Sequence, residues 1–423
     1  MSSGDPATAR FAAPFGQSDA AAPTSGGTPG RPLSPRQALV LAAICGAFGI
    51  IAWVLWVWVF SGNPGQDWMV FYTAARAYFD GNLPLIFDGE RLTAALNQRF
   101  ASWLAVTLNL HPWVYPPTFL LLFLPFGVLP PAVSLAVFLL SGFIVLLAAA
   151  ALYAGSGQPR WIALFSLVLC PAVPFNVMTG QNAFFTSALL VGAFGLIGRY
   201  PVLGGALLGI LTFKPQLWLM VPVALLAARQ WRALGGAAAS AFILALVSLV
   251  VFGPEIWRAW IGLVTGTDEA YSAWVTNGRL NGMSVFACAT WLGAPRSIAN
   301  LAQALAIAVA AAIVYWVFRR PAPGALQLAV LLAATMLAAP HASASDAVLL
   351  ALATSLYVVA PGRGALRPSQ LALAAALWIS PLFNPPSVFR PGSLTPLLIL
   401  LLLGAIIVEI RDAESLGRRP PTG

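Results

Sequence analysis

"QALVLAAICGAFGIIAWVLWVWVF", residues 37 to 60, runs for 24 positions without a charged side chain. A helix needs about 20 apolar residues to cross the hydrocarbon core of a bilayer, so this run predicts a transmembrane helix. It is longer than a signal-peptide core, and no A-x-A cleavage site follows it. The expectation is an uncleaved anchor whose Arg-bearing tail lies in the cytoplasm. That tail, residues 1–36, is rich in Ala, Gly, Pro and Ser and is expected to be disordered.

Outward from this run the pattern repeats. The chain has 423 residues, of which 59% are hydrophobic and 8% charged, against about 25% charged in soluble domains. Further apolar runs lie at 132–153, 161–178, 181–198, 200–213, 215–228, 233–252, 297–318, 324–340, 346–360, 369–383 and 393–408. The fold class they predict is an all-α polytopic membrane protein with roughly 10–13 transmembrane helices. A β-barrel would alternate apolar and polar residues in segments of about ten, and no such segments occur. The residue 37–410 stretch is read as one membrane domain, and 411–423 as a cytoplasmic C-terminal tail. The run at 118–129 is too short to cross alone, and its pairing with 132–153 leaves the sidedness of residues 118–214 open.

Three cysteines, Cys45, Cys170 and Cys288, are far apart and suggest neither a disulfide framework nor a metal site. The net charge of +9 comes from Arg residues scattered between apolar runs, which argues for topology-setting and against nucleic acid. With the N-terminus inside, the inner segments hold 14 Arg against 5 acids, and the outer ones 7 Arg and Lys214 against 8 acids. This places Asp67, the "TGQN" turn at 179–182, Lys214 and "APHAS" at 339–343 on the outer side.

Residues 61–115 are too long for a simple connector and read as a first extracytoplasmic loop. Within it Trp68, Phe71, Tyr72, Ala75 and Tyr78 fall at helical spacing, which predicts an amphipathic helix at the membrane interface. Asp67 opens that helix. One reading makes it an N-cap, although Val70 stands where a capping box has Glu or Gln; the other makes it a base. Asp80, Asp88 and Glu90 are expected to be solvated. Lys214 is the one lysine beside 21 Arg. A lysine is a compact, flexible point charge suited to a phosphate, or it snorkels from a helix end. His341 can donate to an anion or act as a base, or it is a polar turn residue. His111, beside a proline in a polar loop, is read as structural or as a lipid-headgroup contact.

No D-x-D pair, P-loop, G-x-S-x-G or H-E-x-x-H occurs. One acid, one lysine and one histidine near a membrane face suit a base that activates a hydroxyl and cations that neutralise a phosphate leaving group. Such chemistry calls for no metal and no cofactor.

In order along the chain stand "DWMVFYTAARAYFDG", "YPPTFLLLFLPFGVLP", "TGQNAFF", "LGGALLGILTFKPQ", "LNGMSVFA" and "APHASASDAVLL". This series resembles glycosyltransferase family 87, membrane enzymes of the C-type superfamily that include polyprenol-phosphate-mannose-dependent α-mannosyltransferases. The resemblance implies a helical bundle with amphipathic helices in its first extracytoplasmic loop. It implies Asp67 as the base and Lys214 and His341 as phosphate-steadying groups. Tyr115, Gln181, Asn182 and Asn281 become substrate contacts. The implied partners are a polyprenyl-phosphate-linked hexose (mannose foremost), a lipid or glycan acceptor and the lipids of a bacterial-type inner membrane, with the site facing out. A transporter or flippase is the alternative from another class, though no convincing repeat is present; an O-antigen ligase would place its large loop late instead.

Overall fold

A computed structural model describes residues 35–154, 158–265, 282–360, 366–383 and 394–417, and among them there are helices and turns but no strand. Among the described residues, four helices are long and apolar enough to cross a membrane: α1 (Pro35–Phe60, whose qualifying part is Ala43–Phe60), α5 (Pro131–Ala154), α12 (Trp231–Phe252) and α15 (Arg296–Phe318). A fifth span arises if α6 (Gln158–Val168) and α7 (Ala172–Thr179), bent by 48° at Pro171, count as one. The indole of Trp56 donates to the Pro171 carbonyl at 3.2 Å, which satisfies a group the break leaves without a helical partner.

The other predicted runs form shorter apolar helices. They are α4 (Pro117–Gly127), α8 (Ala183–Ile197), α9 (Pro201–Ile210), α10 and α11 (Pro215–Trp218, Met220–Ala227), α16 (Gly324–Ala338), α17 (Val348–Val359) and α18 (Pro368–Ile379). At 1.5 Å per residue α4 spans about 16 Å, well short of the hydrocarbon thickness of about 30 Å. Among the described residues, length and composition alone support four or five spans, against the roughly 10–13 expected from the runs, and both figures describe a polytopic all-α membrane protein. Most of the remaining apolar runs form these shorter helices, of which α16 is buried along its whole length after Gly324. The last helix, α19 (Thr395–Gly417), continues past residue 410, so the start of the C-terminal tail is helical.

Packing explains why short helices suffice. Every residue of α16 after Gly324 is buried, as expected of a helix that is apolar all round. The α9 and α12 backbones nearly touch: a Cβ on Gly205 would stand 2.0 Å from the Ala233 carbonyl oxygen, and one on Gly209 2.3 Å from that of Ala237. Such small-residue contacts replace the hydrophobic drive that lipid cannot supply. Outside, Ile50, Ile144, Leu152, Phe242, Val250 and Leu301 are all more than 55% exposed, a surface suited to acyl chains and costly in water.

The first loop departs from expectation. Its leading helix, α2 (Gln66–Phe79), buries Trp68, Phe71, Tyr72 and Ala75 but also Met69, Val70, Thr73, Ala74 and Ala77. It is a core helix wrapped by an aromatic cluster rather than a ribbon on the membrane. The helix that follows, α3 (Gly89–Arg99), buries one face through Leu92, Thr93 and Leu96 and is amphipathic. The amphipathic α13 (Pro254–Val264) and a short α14 (Val285–Trp291) complete the described α-helices. Residues 1–34 and 418–423, most of the two predicted tails, lie outside the described residues.

Candidate active site

Polar side chains converge where helices break. Non-helical backbone within a membrane protein is tolerated only where it is buried in protein or lines a cavity. Three such breaks meet here: the turn after α7, the Lys214–Pro215 junction after α9, and the loop at 339–347 between α16 and α17. The start of α2 joins them.

Asp67 is the second residue of α2. Its helix begins at Gln66, and the N-cap is Gly65, with φ of 76° and no side-chain cap. The N-cap reading of Asp67 is thus corrected: the carboxylate is not used on its own helix end. Gly65 N–H donates to the Met178 carbonyl at 2.6 Å, which moors the helix start to α7. Gly180 seals the contact. Its φ is +73°, and a Cβ there would lie 2.4 Å from the Trp68 Cβ, so glycine serves both backbone and space.

Both Asp67 oxygens accept hydrogen bonds. Nε2 of His111 lies 2.9 Å from Oδ1, and Nε2 of Gln181 lies 2.8 Å from Oδ2. The next residue, Asn182, accepts from Lys214 Nζ at 3.3 Å, and the same ammonium donates to Asp346 Oδ1 at 2.6 Å. Gln181 and Asn182, adjacent in the chain, thereby link the carboxylate to the lysine. Lys214 and Asp346 are both under 5% exposed as residues; the desolvation of each is offset by the other. The second Asp346 oxygen accepts from the Ser343 N–H at 3.3 Å. Asn176 of α7 anchors this loop by donating to the Ser345 carbonyl at 2.9 Å.

Tyr115 stands beside both halves. Burial pushes its phenol up, opposed by the Lys214 charge and reinforced by Asp346 and Asp67, so the hydroxyl is neutral and available as a donor. Its ring packs on Phe119, with centroids 4.5 Å apart, and Phe119 in turn stacks on Phe213, the neighbour of Lys214.

Of the residues singled out from sequence, Asp67, Tyr115, Gln181, Asn182 and Lys214 are therefore together. His341 belongs to the same loop as Asp346, but its side chain is exposed rather than buried beside Lys214. Asn281 lies outside the described residues. Sequence reasoning missed two members. Asp346 is an acid within a largely apolar stretch, a feature that by itself signals function, and Lys214 needed a counterion. His111 was assigned to structure or headgroups and instead contacts Asp67. Among the described residues, no three His, Cys, Asp or Glu side chains are grouped closely enough to hold a metal ion.

Fold and site together define a polytopic helical membrane protein with a buried polar centre at its helix breaks. The family model of glycosyltransferase family 87 matches residues 113–340, more than half of the chain, and the protein belongs to that family. Membership makes it a membrane glycosyltransferase, acting on a sugar donor and an acceptor. The matched stretch contains Tyr115, Gln181, Asn182 and Lys214, while Asp67, His111, His341 and Asp346 flank it. No curated protein and no solved structure matches the chain.

Proposed function

We propose that the protein transfers a hexose, with mannose the first candidate, from a polyprenyl-phosphate-linked donor to a hydroxyl of a lipid or glycan, on the extracytoplasmic side. The observation that carries the lipid-linked donor is a cavity of about 610 Å³ beside the polar centre. Phe119 and Phe213, the rings next to Tyr115 and Lys214, form part of its wall. It follows α8 from Phe185 to Leu196, a distance of about 17 Å at the helical rise. Leu122, Leu152 and Leu189 are typical of its lining. Such a groove suits an isoprenoid chain whose phosphate and sugar emerge at Lys214.

In this reading Asp67 takes the proton of the acceptor hydroxyl as the hydroxyl oxygen attacks the anomeric carbon. The bond from that carbon to the phosphate oxygen breaks, and its electron pair departs with polyprenyl phosphate. One displacement inverts the anomeric centre. An ionised carboxylate offers about four acceptor sites, so its bonds to His111 and Gln181 leave room for the hydroxyl. Lys214 has three N–H donors. Two are directed to Asp346 and Asn182, and the third serves the phosphate; His341, exposed on the 339–347 loop, is the second proposed phosphate donor.

Broken helices around a buried ion pair also occur in transporters, but family membership favours transfer. The test uses the purified protein in lipid nanodiscs with membrane lipid extract as acceptor. Polyprenyl-phosphate-[14C]mannose is compared with a nucleotide-activated [14C]mannose. Label reaching a product from the lipid-linked donor alone supports the proposal; transfer from the nucleotide sugar alone refutes it.

A further inference from the structure

We infer that His111 is a positioning residue for the Asp67 carboxylate; this rests on the proposed role of Asp67 as base. An ionised carboxylate can only accept, so at the 2.9 Å contact it is His111 Nε2 that carries the hydrogen and Asp67 Oδ1 that receives it. A nitrogen already bearing that hydrogen cannot also take the proton that Asp67 removes from an acceptor. His111 therefore orients the carboxylate rather than relaying its proton.

The orientation is held from two sides. Gln181 of the turn after α7 donates to Oδ2 at 2.8 Å, while His111 approaches Oδ1 from the first loop. A carboxylate gripped at both oxygens cannot rotate about its own bond, so its remaining lone pairs point in fixed directions. A base displaced by about 1 Å can lose about 100-fold in rate.

The first loop is built to hold His111 still. Its backbone N–H donates to Thr93 Oγ1 at 2.9 Å, and that hydroxyl donates in turn to the Gly89 carbonyl at 2.6 Å. Asn97 brackets Leu108 with two bonds of 2.9 Å, one to the N–H and one from its own amide to the carbonyl. At Gly89 the loop sits directly on α3: a Cβ there would meet Pro112 Cβ at 3.1 Å and Leu110 Cδ1 at 3.2 Å. Helix α3 contributes no group to the polar centre itself. Its Thr93, Asn97 and Gly89 all serve the segment that carries His111. The His111 and Asp67 side chains are 19% and 22% exposed, open enough for a hydroxyl to reach the carboxylate yet walled on the sides where the two donors stand.

The experiment compares His111→Gln, His111→Leu and His111→Ala with wild type and Asp67→Asn, by steady-state transfer from polyprenyl-phosphate-[14C]mannose in nanodiscs. Gln places an amide N–H near the place of Nε2–H, whereas Leu is of similar size and has no donor. The inference predicts that Leu and Ala lower kcat by about 10- to 100-fold with donor KM within about twofold, and that Gln restores most of the loss. The Gln and Leu pair carries the test even where Ala unfolds, since the two differ little in bulk. Wild-type rates in all three His111 variants, with Asp67→Asn inactive, overturn the inference and leave the proposed function standing. Equal loss in Gln and Leu, or a change confined to KM, overturns it too, because His111 is then a proton acceptor or a substrate contact. Absence of transfer by wild type overturns the function itself, and the inference with it.

Discussion

Lys214 shows how one residue can be legible in type and illegible in setting. A sole lysine among 21 Arg stands out in any reading of the chain, and the idea that it meets a phosphate followed from its chemistry. Its counterion did not, because Asp346 is 132 residues away and only the fold brings α9 and the loop at 339–347 together. His111 was undervalued for the same reason: its polar, proline-flanked surroundings say nothing of Asp67, 44 residues earlier. The ion pair makes a sharp prediction. Asp346→Asn leaves a buried ammonium without its charge partner, which costs about 3–5 kcal/mol, and a thermal melt in detergent shows a lowered transition. The double variant Lys214→Met with Asp346→Leu recovers that stability, since apolar replacement of a buried pair is often neutral or stabilising, but it transfers no sugar. A double variant that remains active removes Lys214 from the phosphate role.

At the scale of elements, apolar runs translated closely into helices: the run at 233–252 is α12, and that at 297–318 is α15. What the runs could not convey is which of them form one long helix and which form short or bent ones, because composition is similar in both. Helix α2 illustrates this. Its aromatic spacing predicted one buried face, yet neighbours on every side bury Met69, Val70 and Thr73 as well. The placement of Asp67 depends on such an element contact, the turn at Gly180. Gly180→Ala puts a Cβ 2.4 Å from Trp68 Cβ at a φ of +73°, an incompatible site where substitution costs more than about 1 kcal/mol. Because the turn carries Gln181, the expected outcome is a lower melting temperature together with reduced kcat. Gly235→Ala, facing open space on α12, changes neither, and equal behaviour of the two variants would argue against the turn as a support for the site.

The whole molecule joins a polar centre at its helix breaks to an apolar groove along α8, and the proposed substrate needs both. The groove was invisible in the sequence because its lining comes from α4, α5, α8 and α9, each of which reads simply as apolar. Gly192 lines it, and a Cβ there meets only Ala149 Cβ at 3.7 Å and Leu207 Cδ1 at 3.8 Å, ordinary contacts. Gly192→Leu is therefore expected to fill the groove without disturbing the backbone. Donor KM should rise about tenfold or more for a long prenyl chain and stay unchanged for a short-chain analogue. A uniform change with both donors would mean that the tail lies elsewhere. The central claim concerns the carboxylate at the polar centre. The most direct test is transfer of radiolabelled mannose from polyprenyl phosphate to endogenous lipids, in membranes holding wild type or Asp67→Asn at matched expression. The account predicts a labelled product with wild type and none with Asp67→Asn, whose amide keeps the shape but cannot accept the proton. Equal labelling by both would contradict it.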